Sequence, residues 1–221
     1  MKHQKEILIG TTNPSKVGRF AELLSEYAVR FYTLKDLDIT EEPEETGSTP
    51  EENARQKALF YGQYFDAVIC NDSGLYIKEL PLEDPRQPGL HIRTPGGGAR
   101  LEDEEMIAYY AGLVHSLGGK VTAYYLDGIA VFYKGNLSTF MDPEADGESA
   151  FYLLDQPSPK RKEGWPLDSL SVNRNTLTYF TEGGNNQYDT QKEEIILGEY
   201  RKRMVQFLAE TLELEICLKD E

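Results

Sequence analysis

The chain has 221 residues, enough for one large domain or a two-lobed one with a substantial core. Its formal charge of −15 at pH 7 speaks against a nucleic-acid polymer as the main partner, because such binding runs on basic surfaces. No apolar stretch approaches the ~18 residues of a membrane span, and the N-terminus lacks the longer apolar segment of a signal peptide. Cys70 and Cys217 form no scaffold spacing, so a reduced cytoplasmic protein is expected.

In chain order, Ile7-Leu8-Ile9 predicts a buried strand ending at Gly10. Ser15 can cap a helix in which Val17, Phe20, Leu23, Leu24 and Tyr27 share one face. Residues 29–34 read as a second strand and 35–48 as an acidic, turn-like segment. Thr49-Pro50-Glu51-Glu52 is a helix start, with Thr49 as N-cap and Ala54, Ala58, Tyr61 and Phe65 on the inner face. Residues 67–70 form the next strand, followed by a turn, and 75–77 can continue it. Residues 81–100 are a Pro- and Gly-rich loop, and 102–117 a helix stopped by Gly118-Gly119. Residues 121–133, 137–141 and 149–154 suggest an antiparallel meander, and 190–208 a last long helix. The expected fold is α/β: a mixed sheet flanked by helices, two lobes around a central cleft.

Two segments carry the chemistry. Thr11-Thr12-Asn13-Pro14-Ser15-Lys16 lies between a strand and a helix start, where an ammonium and backbone N–H groups can meet phosphate. It half-resembles a P-loop, but Ser15 stands where that motif has Gly and Val17 where it has a hydroxyl residue. Glu52-Asn53-Ala54, then Lys57 and Asn71-Asp72-Ser73-Gly74-Leu75, supply carboxylates, an amide and a lysine. Hard cations such as Mg²⁺ take oxygen ligands together with water and phosphate, so metal, phosphate and an activated water can meet here. Asp72 is the candidate for the metal and for taking a proton from water, against the plain reading of a turn Asp. Glu52 also allows two readings, metal ligand or the carboxylate of a capping box.

These motifs resemble the inosine triphosphate pyrophosphatase family. Its Thr-x-Asn-x-x-Lys is matched by Thr11, Asn13 and Lys16, and its Thr-Gly by Thr46-Gly47. Its Thr-x-x-Glu-Asn-Ala-x-x-Lys-Ala is matched at 49–58, and its Asp-Asp-Ser-Gly-Leu by 71–75, with Asn71 in place of the first Asp. Pro88-Gly89 matches its Pro-Gly, with Arg93 displaced by one residue from the family's following Arg. The later motifs depart. Gly-aromatic-Gly-aromatic-Asp-Pro becomes Gly164-Trp165-Pro166-Leu167-Asp168-Ser169, and Ser-His-Arg becomes Glu199-Tyr200-Arg201.

The resemblance implies Mg²⁺-dependent hydrolysis, with Mn²⁺ as a substitute, of non-standard purine nucleoside triphosphates to monophosphate and pyrophosphate. It implies Glu52 and Asp72 on the metal, with Asp72 catalytic. Thr11, Asn13, Lys16, Asn53, Lys57, Ser73, Trp165, Asp168 and Arg201 are implied on the substrate. The whole chain would be one two-lobed domain and form a homodimer, with strands of 121–154 as candidate interface. The rivals are a catalytically weakened nucleotide-binding homologue, motivated by Asn71, and a house-cleaning hydrolase of modified pyrimidine nucleotides.

Overall fold

The computed structural model describes residues 4–141, 150–184 and 191–217, with the backbone alone for 191–197. The strands are β1 (Lys5–Ile9), β2 (Val29–Thr33), β3 (Ala67–Ile77), β4 (Lys120–Tyr133), β5 (Asn136–Met141), β6 (Phe151–Leu154) and β7 (Ser171–Val172). They form a seven-stranded mixed sheet in the order β2-β1-β3-β4-β6-β7, with β5 paired to β4. The helices are α1 (Pro14–Leu23), α2 (Pro50–Tyr61), α3 (Asp103–Ser116) and α4 (Gln191–Thr211). Contacts divide the chain into two compact units: the described residues of 1–73, 127–142 and 198–221, and those of 74–126 and 143–197.

In the first unit β1 pairs in parallel with β2 (Ile7↔Phe31, Leu8↔Tyr32) and with β3 (Leu8↔Val68, Ile9↔Ile69). Parallel neighbours need a crossover, which α1 supplies between β1 and β2 and α2 between β2 and β3. Strand alternation then splits the core into two faces. Ile7, Ile9, Ile69 and Ile129 pack with Phe20 of α1 and Met204 and Leu208 of α4. Leu8, Val68, Cys70 and Ala130 pack with Ala54, Ala58 and Tyr61 of α2. α2 lies very close to the sheet at one point: a Cβ on Gly128 of β4 would stand 2.2 Å from the Glu51 nitrogen. Thr139 of β5 donates its hydroxyl hydrogen bond to Glu51, so the first turn of α2 is anchored by both strands.

In the second unit the N-terminal part of β4 pairs antiparallel with β6 (Val121↔Leu153), and β6 with β7. Leu75, Ile77, Val121, Phe151, Leu153 and Leu170 pack against Met106, Tyr110 and Val114 of α3. Glu102 and Glu105 close a capping box at the start of α3. Gly118 and Gly119, with φ of +102° and +86°, end the segment in a conformation glycine adopts at no steric cost.

Three expectations are corrected. Residues 71–74 are not a turn; β3 runs unbroken from Ala67 to Ile77. Burial of Asn71, Gly74 and Leu75 and the Leu75 N–H bond to the Gly89 carbonyl carry the strand through. The β4–β5–β6 segment is not a simple meander, because β6 pairs with 120–123 of β4 while β5 pairs with 128–133. At 14 residues, β4 is long enough to accept two partners in succession. The N-cap of α1 is Asn13, with Pro14 at its first turn, and Ser15 lies inside the helix. The last helix spans Gln191–Thr211; Thr190 and Ser149 lie outside the described residues.

Candidate functional site

The loop after β1 turns into α1 through two local bonds. Asn13 donates its N–H to the Thr11 hydroxyl at 3.2 Å, and its side-chain oxygen accepts from the Ser15 N–H at 2.9 Å. Lys16 follows in the first turn, half-buried, with its ammonium 3.5 Å from the Asn71 carbonyl. Burial, reinforced by the nearby Lys57 charge, lowers its pKa from the ordinary lysine value, while Asp72 and Asp127 act against this from a distance. Among the described residues no carboxylate forms an ion pair with it. A desolvated cation without a counter-ion at a helix N-terminus is a site prepared for an anion.

The opposite condition holds on α2. Lys57 pairs with Glu45 at 2.9 Å and with Asp72 at 3.4 Å. Burial lowers its pKa, but the two carboxylates outweigh burial and raise it overall. Asn53, 3% exposed, uses both ends of its amide. Its oxygen accepts from the Gly47 N–H at 2.8 Å, and its nitrogen donates to Asp72 Oδ2 at 3.0 Å. Asn53 therefore aims the Asp72 carboxylate and holds the 41–48 segment through Gly47. Gly47 is required at this contact, since a Cβ there would come within 2.6 Å of the Asn53 side-chain oxygen.

The structure thus brings together Lys16, Asn53, Lys57 and Asp72, with Thr11 and Asn13 shaping the loop. Ser73 follows Asp72 in β3, half-buried. Glu52 is committed elsewhere: its Oε2 accepts from the Ser48 N–H at 2.6 Å and the Ser48 hydroxyl at 2.7 Å. Those bonds hold its pKa below the ordinary value and make it a capping carboxylate, one residue earlier than the standard box. Arg201 of α4 is half exposed and pairs with Glu22 at 3.2 Å. In the second unit, Asp168 (9% exposed) accepts from the Lys162 ammonium at 2.9 Å. That ammonium also lies 5.6 Å from the Trp165 ring centroid. Burial raises the Asp168 pKa despite the Lys162 bond.

Sequence reading missed three charged residues. Glu45 is one of four glutamates within residues 41–45, where nothing local marks it out. Arg19 and Asp127, paired at 2.7 Å, lie far apart in sequence. Asn71 is 2% exposed, and neither polar atom of its amide has a partner among the described residues. A cavity of about 630 Å³ opens on another side of the Thr11-Thr12 loop, lined by Pro14, Val17, Leu34 and Ile39. Of the expected site residues Thr11 lines it, whereas Lys16, Lys57 and Asp72 do not.

An α/β unit with a lysine that has no ion pair among the described residues at a helix N-terminus, and an oriented carboxylate beside it, is an arrangement of the kind that suits phosphate. The chain belongs to the Ham1 family, whose model matches residues 7–165. A curated relative from Thermoanaerobacter pseudethanolicus (strain ATCC 33223 / 39E), a dITP/XTP pyrophosphatase, is 33% identical over 181 residues, 78% of this chain and 85% of that protein. Another so named, from Bacillus subtilis (strain 168), is 28% identical over 185 residues, 83% of this chain and 89% of that one. Among solved structures, a HAM1 protein from Coxiella burnetii aligns with a TM-score of 0.65 at 21% identity, covering 94% of this chain and all of that one. The match establishes the resemblance read from Thr11–Lys16, 49–58 and 71–75. The mixed α/β architecture agrees as well.

Proposed function

We propose that the chain hydrolyses non-standard purine nucleoside triphosphates, such as those of inosine and xanthosine, to the monophosphate and pyrophosphate. The observation that carries this reading is the Asp72 carboxylate, aimed by Asn53 and charge-balanced by Lys57, next to the uncompensated Lys16. The dITP/XTP pyrophosphatases among its relatives supply the substrate class.

Lys16 and the first N–H groups of α1 hold phosphate oxygens. Asp72 accepts the proton of a water that opens the α–β phosphoanhydride, and pyrophosphate leaves. Lys57 stands against the charges of Asp72 and Glu45 and holds both carboxylates at one place. Asn53 and Lys57 fix the orientation of the Asp72 carboxylate by holding one oxygen each. Trp165 and Asp168 are the base-side candidates of the second unit.

The donor set fits a hard divalent cation. Two carboxylates, Glu45 and Asp72, converge on one ammonium, while Glu52 is spent on its cap. Among the described residues no group of three His, Cys, Asp or Glu forms a ready-made metal cage. Mg²⁺ characteristically takes one or two carboxylates and completes its shell with water and substrate phosphate. Glu45 and Asp72 would hold Mg²⁺ or Mn²⁺, which when bound neutralises phosphate charge and lowers the pKa of water.

The whole chain is read as one functional domain, cytoplasmic and homodimeric. No helix of the described residues is long and apolar enough to cross a membrane. Sedimentation at micromolar concentration tests the dimer. The function is tested by product analysis on a panel of inosine, xanthosine, adenosine, guanosine and modified pyrimidine triphosphates with Mg²⁺ or Mn²⁺. Pyrophosphate release, fastest on inosine or xanthosine triphosphate, is expected. Orthophosphate release, or no turnover on any triphosphate, overturns the reading.

A further inference from the structure

The cavity of about 630 Å³ beside the Thr11-Thr12 loop lies wholly in the first unit and takes no part in the proposed hydrolysis. Its volume is that of a small-molecule site, typically ~300–1,000 Å³. The apolar part of its wall comes from Pro14 and Val17 of α1 and from Leu34 and Ile39 after β2. Local bonds hold the segment after β2 in place without a ligand. Asp36 accepts from the Thr33 N–H at 2.8 Å and from the Thr33 hydroxyl at 2.7 Å. Asp38 adopts a left-handed conformation, with φ of +52°, and the Ile39 N–H reaches back to the Leu34 carbonyl at 2.9 Å. The Tyr61 hydroxyl of α2 donates to the Glu41 carbonyl at 3.4 Å. The cavity is therefore built into the fold.

Its charged lining selects the occupant. Lys35, Asp38, Glu41 and Glu42 line it and are exposed. Among the described residues none of the four forms an ion pair, so three carboxylates stand against one ammonium. A concave surface with one sign of charge in excess concentrates the opposite sign, so this one repels a triphosphate and attracts a cation. The apolar wall favours an apolar body behind that charge. Two parts of the lining continue into the phosphate site. The Thr11 hydroxyl accepts the Asn13 N–H that shapes the loop ahead of Lys16, and Glu42 stands three residues before Glu45, the partner of Lys57.

We propose that this cavity is an effector site for a small amphipathic cation, an apolar body carrying one ammonium group, and that its occupancy strengthens phosphate binding at Lys16. The bound cation offsets carboxylates that repel an incoming phosphate, and its body braces Thr11 against the 38–42 segment. The binding half stands alone; the coupling half rests on the phosphate role read for Lys16.

Calorimetry with three probes of similar apolar body, phenethylamine, phenethyl alcohol and phenylpropionate, tests the binding. Phenethylamine should bind most tightly and phenylpropionate least, with a margin that shrinks as salt is added. Glu41→Gln/Glu42→Gln, at two exposed positions, should weaken phenethylamine about two- to thirtyfold and leave the alcohol unchanged. Thr40→Trp, from an exposed lining position, should abolish binding of all three by filling the space. No binding of phenethylamine up to about 10 mM, equal affinity for the three probes, or binding untouched by Thr40→Trp overturns the site. Coupling is read as the Kd of inorganic tripolyphosphate with and without saturating phenethylamine. It should tighten about fivefold, and the tightening should vanish in Lys16→Met. An unchanged or weaker Kd overturns the coupling. Neither measurement needs turnover, so a protein that shows both effects and hydrolyses no triphosphate refutes the hydrolase reading alone. One that hydrolyses triphosphates and binds no phenethylamine refutes this inference alone.

Discussion

Two lysines of the first unit, a helix apart, face opposite electrostatic conditions. Lys57 on α2 stands between Glu45 and Asp72 and has its pKa raised overall. Lys16 on α1 meets a backbone carbonyl at 3.5 Å and has its pKa lowered by burial and by Lys57. The same residue type is therefore a structural brace in one place and a vacant charge in the other. The proposed phosphate role falls to Lys16 because, among the described residues, no carboxylate forms an ion pair with it.

The comparison predicts that the two halves of the site fail differently. Asp72→Asn removes the proton acceptor and should lower turnover by on the order of 10²-fold or more, with little change in nucleotide Kd. Stopped-time pyrophosphate assays and calorimetry separate the two quantities. Lys57→Met leaves Glu45 and Asp72 facing each other without their cation. Its loss should cost about 1–3 kcal/mol, below the 3–5 of a fully buried pair because Glu45 is 42% exposed, read by urea denaturation.

Gly128→Ala probes the anchor of α2. Its Cβ would lie 2.2 Å from the Glu51 nitrogen, so the helix start must move, at about 1–3 kcal/mol of overpacking. Because Asn53 and Lys57 ride on that helix, kcat should fall with stability, whereas a surface glycine such as Gly18 should tolerate Ala. The smallest effect concerns Glu52. Its folded pKa lies below the ordinary 4.5, so its capping contribution is complete above that value and is lost as pH falls through the lowered pKa. Thermal melts of wild type and Ser48→Ala should therefore differ at neutral pH and converge in acid.

Local signals were enough for much of this molecule. Thr49, Pro50 and Glu52 announced the start of α2, and its cap forms as expected, with the Thr49 hydroxyl accepting from the Glu52 N–H at 3.2 Å. Lys16, Asn53, Lys57 and Asp72 were singled out by their spacing on a helix or strand, and they come together in the structure. What escaped depends on contacts between distant segments. Asn71-Asp72-Ser73-Gly74 reads as a turn by composition, and only burial on β3 makes it strand. Glu45 gains its role from Lys57, Asp127 from Arg19, and Gly128 from a helix about 75 residues earlier in the chain; no local pattern encodes such meetings.

Lys16, which forms no ion pair among the described residues, is proposed as the cation that the phosphates meet. Calorimetric titration of inosine triphosphate into Asp72→Asn, with and without Lys16→Met, tests it most directly. Lys16→Met should weaken binding at least about tenfold, the scale of a charge-assisted hydrogen bond, while the melting temperature stays level or rises as a buried charge is removed. Unchanged affinity accompanied by a lower melting temperature would make Lys16 a structural residue and place the phosphates elsewhere.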